Sequence, residues 1–281
     1  MIGNMIERIR KEKKISKTIL SKKTDINNIK SLITAKEVGL SSDETKELLI
    51  PSGSLYDILS SLVDTDNVTD IVTALDGTEY ATALEDALPE YEEKKMTLPL
   101  ESALDKYYLG KLLKSSDVPA EENRQIVYSY VGTQVDVDNL KLILRAKEDG
   151  LTYDDISNYI LTDGYQLREW KLKDLMDSPD VTNVVSGLEG TKYSEALTDA
   201  VPQYNETGSV AVFERALDLY VAEHAKSLSS KKPLGVGPII GYLSQKEAEI
   251  KNLKIIARAK READFPNSKI MEMLIWVQSL L

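Results

Sequence analysis

A long block of sequence occurs more than twice along this chain. Three nine-residue segments, beginning at Asn28, Asn139 and Asn252, share an Asn-Ile/Leu-Lys start and an Ala-Lys end around an apolar centre. Their starts are separated by 139 − 28 = 111 and 252 − 139 = 113 positions, and much of 68–107 recurs at the same spacing within 181–220, as 181 − 68 = 113. Solenoid repeats built from helix pairs have about 33 to 47 residues, so each copy here must be a small module of several helices.

The apolar residues at the start of each copy follow a helical period. Ile26, Ile29 and Ile33 are separated by three and four residues, which places them on one face of a helix. Asp25 is the predicted N-cap of this helix, because a short polar side chain there can accept a bond from a free backbone N–H. Residues 138–150 repeat the pattern, so we expect an equivalent helix in the second copy.

A second helix is predicted to begin shortly after the first one ends. Gly39 is typical of the residue that follows a helix C-terminus. Ser41 with Glu44, and Thr152 with Asp155, have the spacing of capping boxes at a helix N-terminus. Each copy is therefore predicted to open with a helical hairpin, whose acidic second helix is unsuited to reading DNA.

Shorter helices are predicted further along the first copy. The patterns indicate helices over residues 68–75 and 78–88, ended by Gly77 and Pro89. No strand-like alternation competes with these helices, so the predicted fold is all-α with three pseudo-repeated units, the last of them partial. The predicted units span, in order, residues 1–113, 114–226 and 227–281.

Tyrosines also recur with the repeat. The chain has 14 tyrosines and only two phenylalanines, and rings with a polar tip suit partly hydrated helix interfaces. Three of them return at the repeat spacing, which favours a role in packing over a unique ligand site. The pairs are Tyr80 and Tyr193, Tyr91 and Tyr204, and Tyr107 and Tyr220.

Composition excludes several classes of function. With 35 basic and 46 acidic residues the net charge is −11, which opposes binding to a phosphate backbone, so no nucleic-acid partner is expected. The absence of cysteine removes disulfides, thiolate metal sites and cysteine nucleophiles. Apolar runs are too short to span a bilayer, and no secretory signal is legible, which predicts a cytoplasmic location.

Residues that could carry catalysis are few. His224 is the single histidine, and without partners it is predicted to be an incidental helix residue and not part of a zinc site or a triad. The glycine-rich residues 235–241 lack the lysine and serine or threonine of a phosphate-binding loop, which favours a tight turn between close helices. The sequence predicts no cofactor, no metal and no enzymatic activity.

The closing part of the chain identifies a resemblance. Residues 233–243 read Pro-Leu-Gly-Val-Gly-Pro-Ile-Ile-Gly-Tyr-Leu and are followed by Lys-Glu-Ala-Glu-Ile-Lys-Asn-Leu-Lys at 246–254. With the three Asn-Ile/Leu-Lys helices, they resemble the C subunit of the archaeal and vacuolar-type rotary ATP synthases, whose vacuolar counterpart is the d subunit. The resemblance covers essentially the whole chain.

The resemblance implies a mechanical function. A protein of this kind is a non-catalytic socket in the central stalk, with its units arranged as a funnel. It joins the axle subunits of the soluble ATPase head to the rotor ring of membrane proteolipid subunits, and so couples proton or sodium transport to ATP synthesis or hydrolysis. It is a peripheral protein at the cytoplasmic side of the cell membrane. A helical scaffold or adaptor unrelated to rotary ATPases is the alternative.

Two features depart from the family pattern. Thr34 stands where the other copies have Arg145 and Arg258. Nothing after Asn252 matches residues 68–107, and in the family the missing half-unit lies ahead of the first Asn-Ile-Lys helix. From the sequence we expect a truncated or processed chain, an apolar face exposed on the first and third units, and self-association through it.

Four cations are candidates for partner binding. Arg145, Lys147, Arg258 and Lys260 lie near the ends of the repeated helices and could meet acidic partner helices at the rim of the funnel. The alternative is that they pair with carboxylates of their own chain.

Overall fold

Helices form all the regular structure in the part of the chain that the computed structural model describes. The described residues are 21–114, 121–231, 235–261 and 265–275, and no strand occurs among them, which confirms the all-α prediction. The chain divides into two compact units, Met1–Val118 and Pro119–Leu281. The three-unit boundaries at 113 and 226 remain a prediction from the repeat.

The N-terminal unit contains six helices within its described residues, and a 3₁₀ turn follows the third. In chain order they are α1 over residues 21–37, α2 Ser42–Leu48, α3 Tyr56–Ser61, the 3₁₀ turn Leu62–Asp64, α4 Val68–Ala74, α5 Ala81–Lys94 and α6 Leu98–Lys114.

The C-terminal unit repeats this order and continues into the third copy. The helices are α7 Glu121–Glu148, α8 Tyr153–Ile156 with the 3₁₀ turn Ser157–Tyr159, α9 Glu169–Met176, α10 Val181–Ser186, α11 Ser194–Thr207, α12 Ala211–Lys231, α13 Gly237–Arg261 and α14 Asn267–Met273. Helix α7 is the centre of its copy and packs against α8, α9, α10 and α12, while α12 also packs against α11 and α13.

Both predicted hairpins form as the sequence indicates. The backbone N–H of Ser41 donates to Glu44 Oε2 at 3.0 Å, and that of Thr152 donates to Asp155 Oδ2 at 2.8 Å, which completes two capping boxes. Gly39 has φ 73°, in the left-handed region that ends α1 without a Cβ clash.

A buried asparagine fastens each hairpin to the segment that follows it. On α7, Asn139 Nδ2 donates to the Leu161 carbonyl at 2.9 Å, and the Leu161 N–H donates back to Asn139 Oδ1 at 2.8 Å. Asn28 makes the same pair of bonds with Ile50 at 2.9 and 2.7 Å. An asparagine offers one donor and one acceptor in fixed geometry, so it pairs with a backbone peptide as a neighbouring strand would.

The third copy has the same asparagine clamp. Asn252 on α13 exchanges bonds with Ile275 at 2.9 and 2.7 Å. The clamped residue lies 22 positions after Asn28 and Asn139, and 23 after Asn252. The three copies therefore share a specific hydrogen-bond arrangement as well as a sequence pattern.

Asp25 is not the N-cap that the sequence predicts. The described part of α1 already begins at residue 21, so Asp25 lies inside the helix, where it is buried. Its carboxylate accepts bonds from the Leu55 N–H at 2.9 Å and from Ser54 Oγ at 2.6 Å. A Cβ at Gly53 would lie 2.3 Å from Asp25 Oδ1, so this turn requires glycine. Asp25 therefore anchors the turn before α3 and does not start a helix.

Asp136 holds the equivalent position on α7. It is fully buried and accepts bonds from the Gln166 N–H at 2.6 Å and from the hydroxyl of Tyr193 at 2.7 Å. Burial raises the pKa of Asp136, although the Tyr193 hydroxyl and the backbone N–H groups of Gln166 and Leu167 act in the opposite direction.

The repeated tyrosines pack as predicted. Tyr80 and Tyr107 meet edge to face with ring centroids 5.5 Å apart, and Tyr193 and Tyr220 meet in the same way at 5.2 Å. Each pair joins the start of one helix, α5 or α11, to the long helix that follows it.

Pro89 does not end a helix, contrary to the prediction. Helix α5 starts at Ala81, three residues later than predicted, and continues through Pro89 to Lys94. Proline removes the bond to the carbonyl four residues earlier, here that of Glu85. Both residues are on the exposed face, where water can satisfy this carbonyl.

Replacing Asn139 with alanine should destabilise the C-terminal unit. Two backbone groups of Leu161 would lose their bonds in a buried site, and we expect the free energy of unfolding to fall by about 3 kcal/mol. Urea denaturation measures the effect. Asn205→Ala, at an exposed position of α11, is the matched control and should change stability by less than about 0.5 kcal/mol. Equal effects of the two substitutions would contradict the clamp.

Candidate partner-binding site

The predicted cations lie at the C-terminal ends of α7 and α13. Arg145 and Lys147 are in the last turn of α7, and Lys260 is the penultimate residue of α13. Free carbonyl groups give a helix C-terminus a partial negative charge, so cations are favourable there. The side chain of Arg258 lies outside the described part of the chain.

Arg145 forms an ion pair within its own repeat. Its guanidinium donates from Nη2 to Glu214 Oε2 at 2.9 Å and from Nε to Glu214 Oε1, which is a two-pronged pair between α7 and α12. The Arg145 side chain remains 61% exposed, whereas that of Glu214 is 20% exposed. One edge of the guanidinium is therefore committed to Glu214, and the rest faces solvent.

Thr34 makes the corresponding contact in the first repeat. Its hydroxyl donates to Glu101 Oε1 at 3.2 Å, and Glu101 is the counterpart of Glu214 at 214 − 101 = 113. The carboxylate and its position are kept in both repeats, while the partner changes from a short neutral side chain to a long cation. Only the second repeat thus presents a positive group at this place.

Lys147 and Lys260 also meet polar groups of their own unit. Lys147 is half-buried near Asp180, the N-cap of α10. The pKa of Asp180 is lowered chiefly by hydrogen bonds from Asn183, with the positive charge of Lys147 acting in the same direction. Lys260 is exposed, and its Nζ donates to Asn267 Oδ1 at 2.7 Å. All three described cations are therefore placed by contacts inside the unit.

One face of α13 is exposed, although its counterpart on α7 is buried. Tyr242 is 57% exposed and Leu253 is 65% exposed, and between them Lys246 Nζ pairs with Glu249 Oε2 at 2.6 Å. These four residues are spaced by three and four positions, so they share one side of the helix. We call them the open face of α13.

The α7 counterparts are covered by the rest of the second repeat. They lie one repeat earlier in the sequence, and each is at most 7% exposed: Ser129, Thr133, Asp136 and Leu140. The third repeat has the same backbone helix and the same leucine, but within the described residues no helices follow α14 to cover them as α10 to α12 cover α7. Charged residues, Lys246 and Glu249, replace the buried Thr133 and Asp136.

The glycines of residues 235–241 serve close packing, as predicted. A Cβ at Gly237 would lie 2.5 Å from the Leu228 carbonyl oxygen, and one at Gly241 would lie 2.7 Å from Ser229 Cβ. These glycines let α13 approach the end of α12 directly. Their role in helix contact matches the tight-turn interpretation of the motif.

The remaining chemistry of the described residues is sparse. No three side chains among histidine, aspartate and glutamate converge there as a metal site would require. Across the same ranges no helix has the length and apolarity that crossing a bilayer demands.

A repeated helical scaffold with exposed cations and one exposed helix face defines a protein suited to binding other proteins. A family model described as ATP synthase (C/AC39) subunit matches residues 5–273. The chain belongs to this family.

Its relatives are all named as the C subunit of an A-type ATP synthase. The one from Methanobrevibacter smithii is 74% identical over 265 residues, which cover 94% of this chain and 69% of the relative. That of Methanothermobacter thermautotrophicus is 56% identical, with 90% and 66% covered, and that of Pyrococcus horikoshii is 32% identical, with 91% and 67% covered. The chain thus spans about two thirds of the length of these relatives.

Family membership confirms the resemblance that the repeats and the closing segment indicate. It also confirms the expectation of a non-catalytic subunit of an ATP synthase complex. The alternative of a helical adaptor unrelated to rotary ATPases is thereby set aside.

The ion pair between Arg145 and Glu214 should contribute little to stability. Exposed pairs contribute about 0.2 to 1 kcal/mol, and we expect a double-mutant cycle with Arg145→Ala and Glu214→Ala to give a coupling free energy of about 0.5 kcal/mol that decreases in high salt. Thr34→Arg, which would create the same pair with Glu101, is the matched gain-of-pair variant. A coupling above about 2 kcal/mol would mean that the pair is structural and not available to partners.

Proposed function

We propose that the chain acts as a socket in the central stalk of an archaeal rotary ATP synthase. In this role it grips the axle subunits of the soluble ATPase head and rests on the rotor ring of membrane proteolipid subunits. Torque passes through it in either direction, coupling proton or sodium transport to ATP synthesis or hydrolysis. Its location is the cytoplasmic side of the cell membrane, as a peripheral part of the complex.

The asparagine clamp, present in all three repeats, is the observation that supports this role. A part that transmits torque has to resist deformation, and each clamp ties a long helix to a distant segment through two bonds to one peptide. Membership of an ATP synthase subunit family gives the complex in which such a part would work.

We further propose that the three repeats form a funnel with pseudo-threefold symmetry, as the resemblance implies. The open face of α13 supports a third repeat that is completed by additional helices, because Leu253 is exposed where Leu140 and Ile29 are fully buried. About a third of each relative's length lies outside the part that this chain matches, which is enough for such helices.

The rim cations should matter for axle binding. Reversing Arg145, Lys147, Arg258 and Lys260 to glutamate is expected to abolish co-purification of the axle subunits, because acidic partner helices would then be repelled. The helical circular dichroism signal should be unchanged, since these side chains lie at the surface or at helix ends.

A charge-matched control separates this effect from net charge. Reversal of four other lysines, Lys46, Lys94, Lys173 and Lys269, changes the total charge equally and should leave axle binding intact. If the rim variant still bound the axle, the four cations would not be part of the interface. If both variants lost binding, the cause would be long-range charge and not contact.

Leu253 and Leu140 should respond differently to substitution. Leu253→Asp is expected to change the stability of the chain by less than about 0.5 kcal/mol, because the side chain is 65% exposed, whereas Leu140→Asp should unfold the C-terminal unit. Light scattering on dilution should show self-association of the unaltered chain and a monomeric Leu253→Asp variant. A chain that is strictly monomeric without substitution would contradict a face that requires covering.

A further inference from the structure

The single histidine of the chain lies inside a helix contact of the C-terminal unit. His224 is on α12 and is half-buried, and its Nε2 lies 3.0 Å from the hydroxyl oxygen of Ser129, a buried residue of α7. The sequence predicts an incidental helix residue. The helix is confirmed, but the side chain has a specific partner on another helix.

Two tyrosine rings enclose the imidazole. Tyr220, one turn earlier on α12, is parallel to it, with 4° between the planes and 6.1 Å between centroids. Tyr165, in the turn before α9, lies 6.5 Å away at 37°. The backbone N–H of Tyr165 donates to the Gly132 carbonyl of α7 at 3.1 Å, so His224 lies where α7, α12 and this turn meet.

The charged groups around the imidazole are mainly positive. Lys192, at the start of α11, has its Nζ 5.4 Å from the centroid of the Tyr165 ring, and Lys231 is on α12 itself. The nearest carboxylate in this ring cluster, Asp136 on α7, is separated from His224 by Tyr193 and Tyr220. Burial lowers the pKa of His224, and Lys192 and Lys231 act in the same direction, while the Ser129 bond opposes them.

The first repeat has a different solution at this position. Lys111 is the counterpart of His224, since 224 − 111 = 113, and its Nζ lies over the ring of Tyr107, the counterpart of Tyr220, at 5.3 Å. Lys111 is exposed, so its permanent charge stays hydrated. His224 replaces this cation by a group that is neutral or charged according to pH and that is enclosed by other elements.

We propose that His224 is a proton-dependent latch in the C-terminal unit. The neutral imidazole holds the Tyr165 turn against α7 and α12 through its bond to Ser129 and its two ring contacts. Protonation places a positive charge in a half-buried site beside Lys192, and the turn detaches. The latch is independent of the identity of any partner subunit.

The direction of the pH effect follows from the lowered pKa of His224. The unfolded chain binds the proton near the ordinary value of 6.5, whereas the folded chain binds it only at lower pH. The stabilisation is therefore complete above about pH 6.5 and is lost as the pH falls through the folded-state pKa.

A nuclear magnetic resonance titration of the unaltered full chain tests the latch directly, because one histidine gives one imidazole signal. We expect the signal to titrate below pH 6.5, and to move to higher pH in Lys192→Gln. Titration at or above 6.5 in the unaltered chain, or no movement in Lys192→Gln, would overturn the proposal.

Urea denaturation at about pH 7.5 and about pH 5.5 measures the effect on folding. His224→Gln keeps a neutral group that reaches Ser129 at both pH values. We expect the ratio of folded to unfolded protein to fall more in the unaltered chain than in His224→Gln, by up to tenfold for each unit by which the His224 pKa is lowered. Ser129→Ala should keep the steep pH dependence. The same pH dependence in His224→Gln as in the unaltered chain would refute the latch.

Hydrogen exchange locates the opening. At about pH 5.5 the Tyr165 amide should exchange faster in the unaltered chain than in His224→Gln, while the Leu161 amide, held by the asparagine clamp, should exchange equally in both. Equal exchange of Tyr165 in the two proteins would show that the turn is not released.

Discussion

Each repeat depends on an asparagine that pairs with a backbone peptide far along the chain. The segment after each hairpin is irregular, and its buried N–H and C=O groups have no helical partner of their own. Asn28, Asn139 and Asn252 satisfy one such peptide in each copy, at almost the same sequence distance. An apolar residue of similar size would fill the space but leave both groups without a bond in a buried site. The clamp therefore fixes where the chain turns after each hairpin, and the helices that follow pack accordingly.

A second interaction carries the pattern from the second copy into the third. Asp218 on α12 receives Lys141 of α7 and Lys251 of α13, each at 2.7 Å. Burial opposes the charge of Asp218, but the ammonium groups of Lys251 and Lys141 more than offset it and hold its pKa below the usual value. Arg215 adds a bond to the Leu274 carbonyl at 3.2 Å, just before the clamped Ile275. Helix α13 is thus attached to the second repeat by charge as well as by close glycine packing.

Local rules predict what local interactions decide. The two capping boxes, the glycine stop after α1 and the paired tyrosines all depend on residues near in sequence or on the repeat itself, and they form as expected. The same rules fail for Asp25 because its partner is 30 positions away, and a carboxylate that holds a distant turn has the same local pattern as an N-cap. They fail for Pro89 because its effect depends on whether the carbonyl of Glu85 faces water. The pairing of Arg145 with Glu214 is not predicted either, although both positions recur with the repeat.

Differences between copies are the most informative guide to function in a protein of this kind. Packing alone accounts for residues that all copies share, because each copy has to fold. It does not account for a cation in place of Thr34, an imidazole in place of Lys111, or an exposed leucine at position 253 where the other copies bury theirs. Each change alters charge or exposure while the surrounding helices stay the same. A socket built from identical modules would hold its partners identically at every module, so an asymmetric axle requires such differences, and the substitutions at these three positions test whether they supply it.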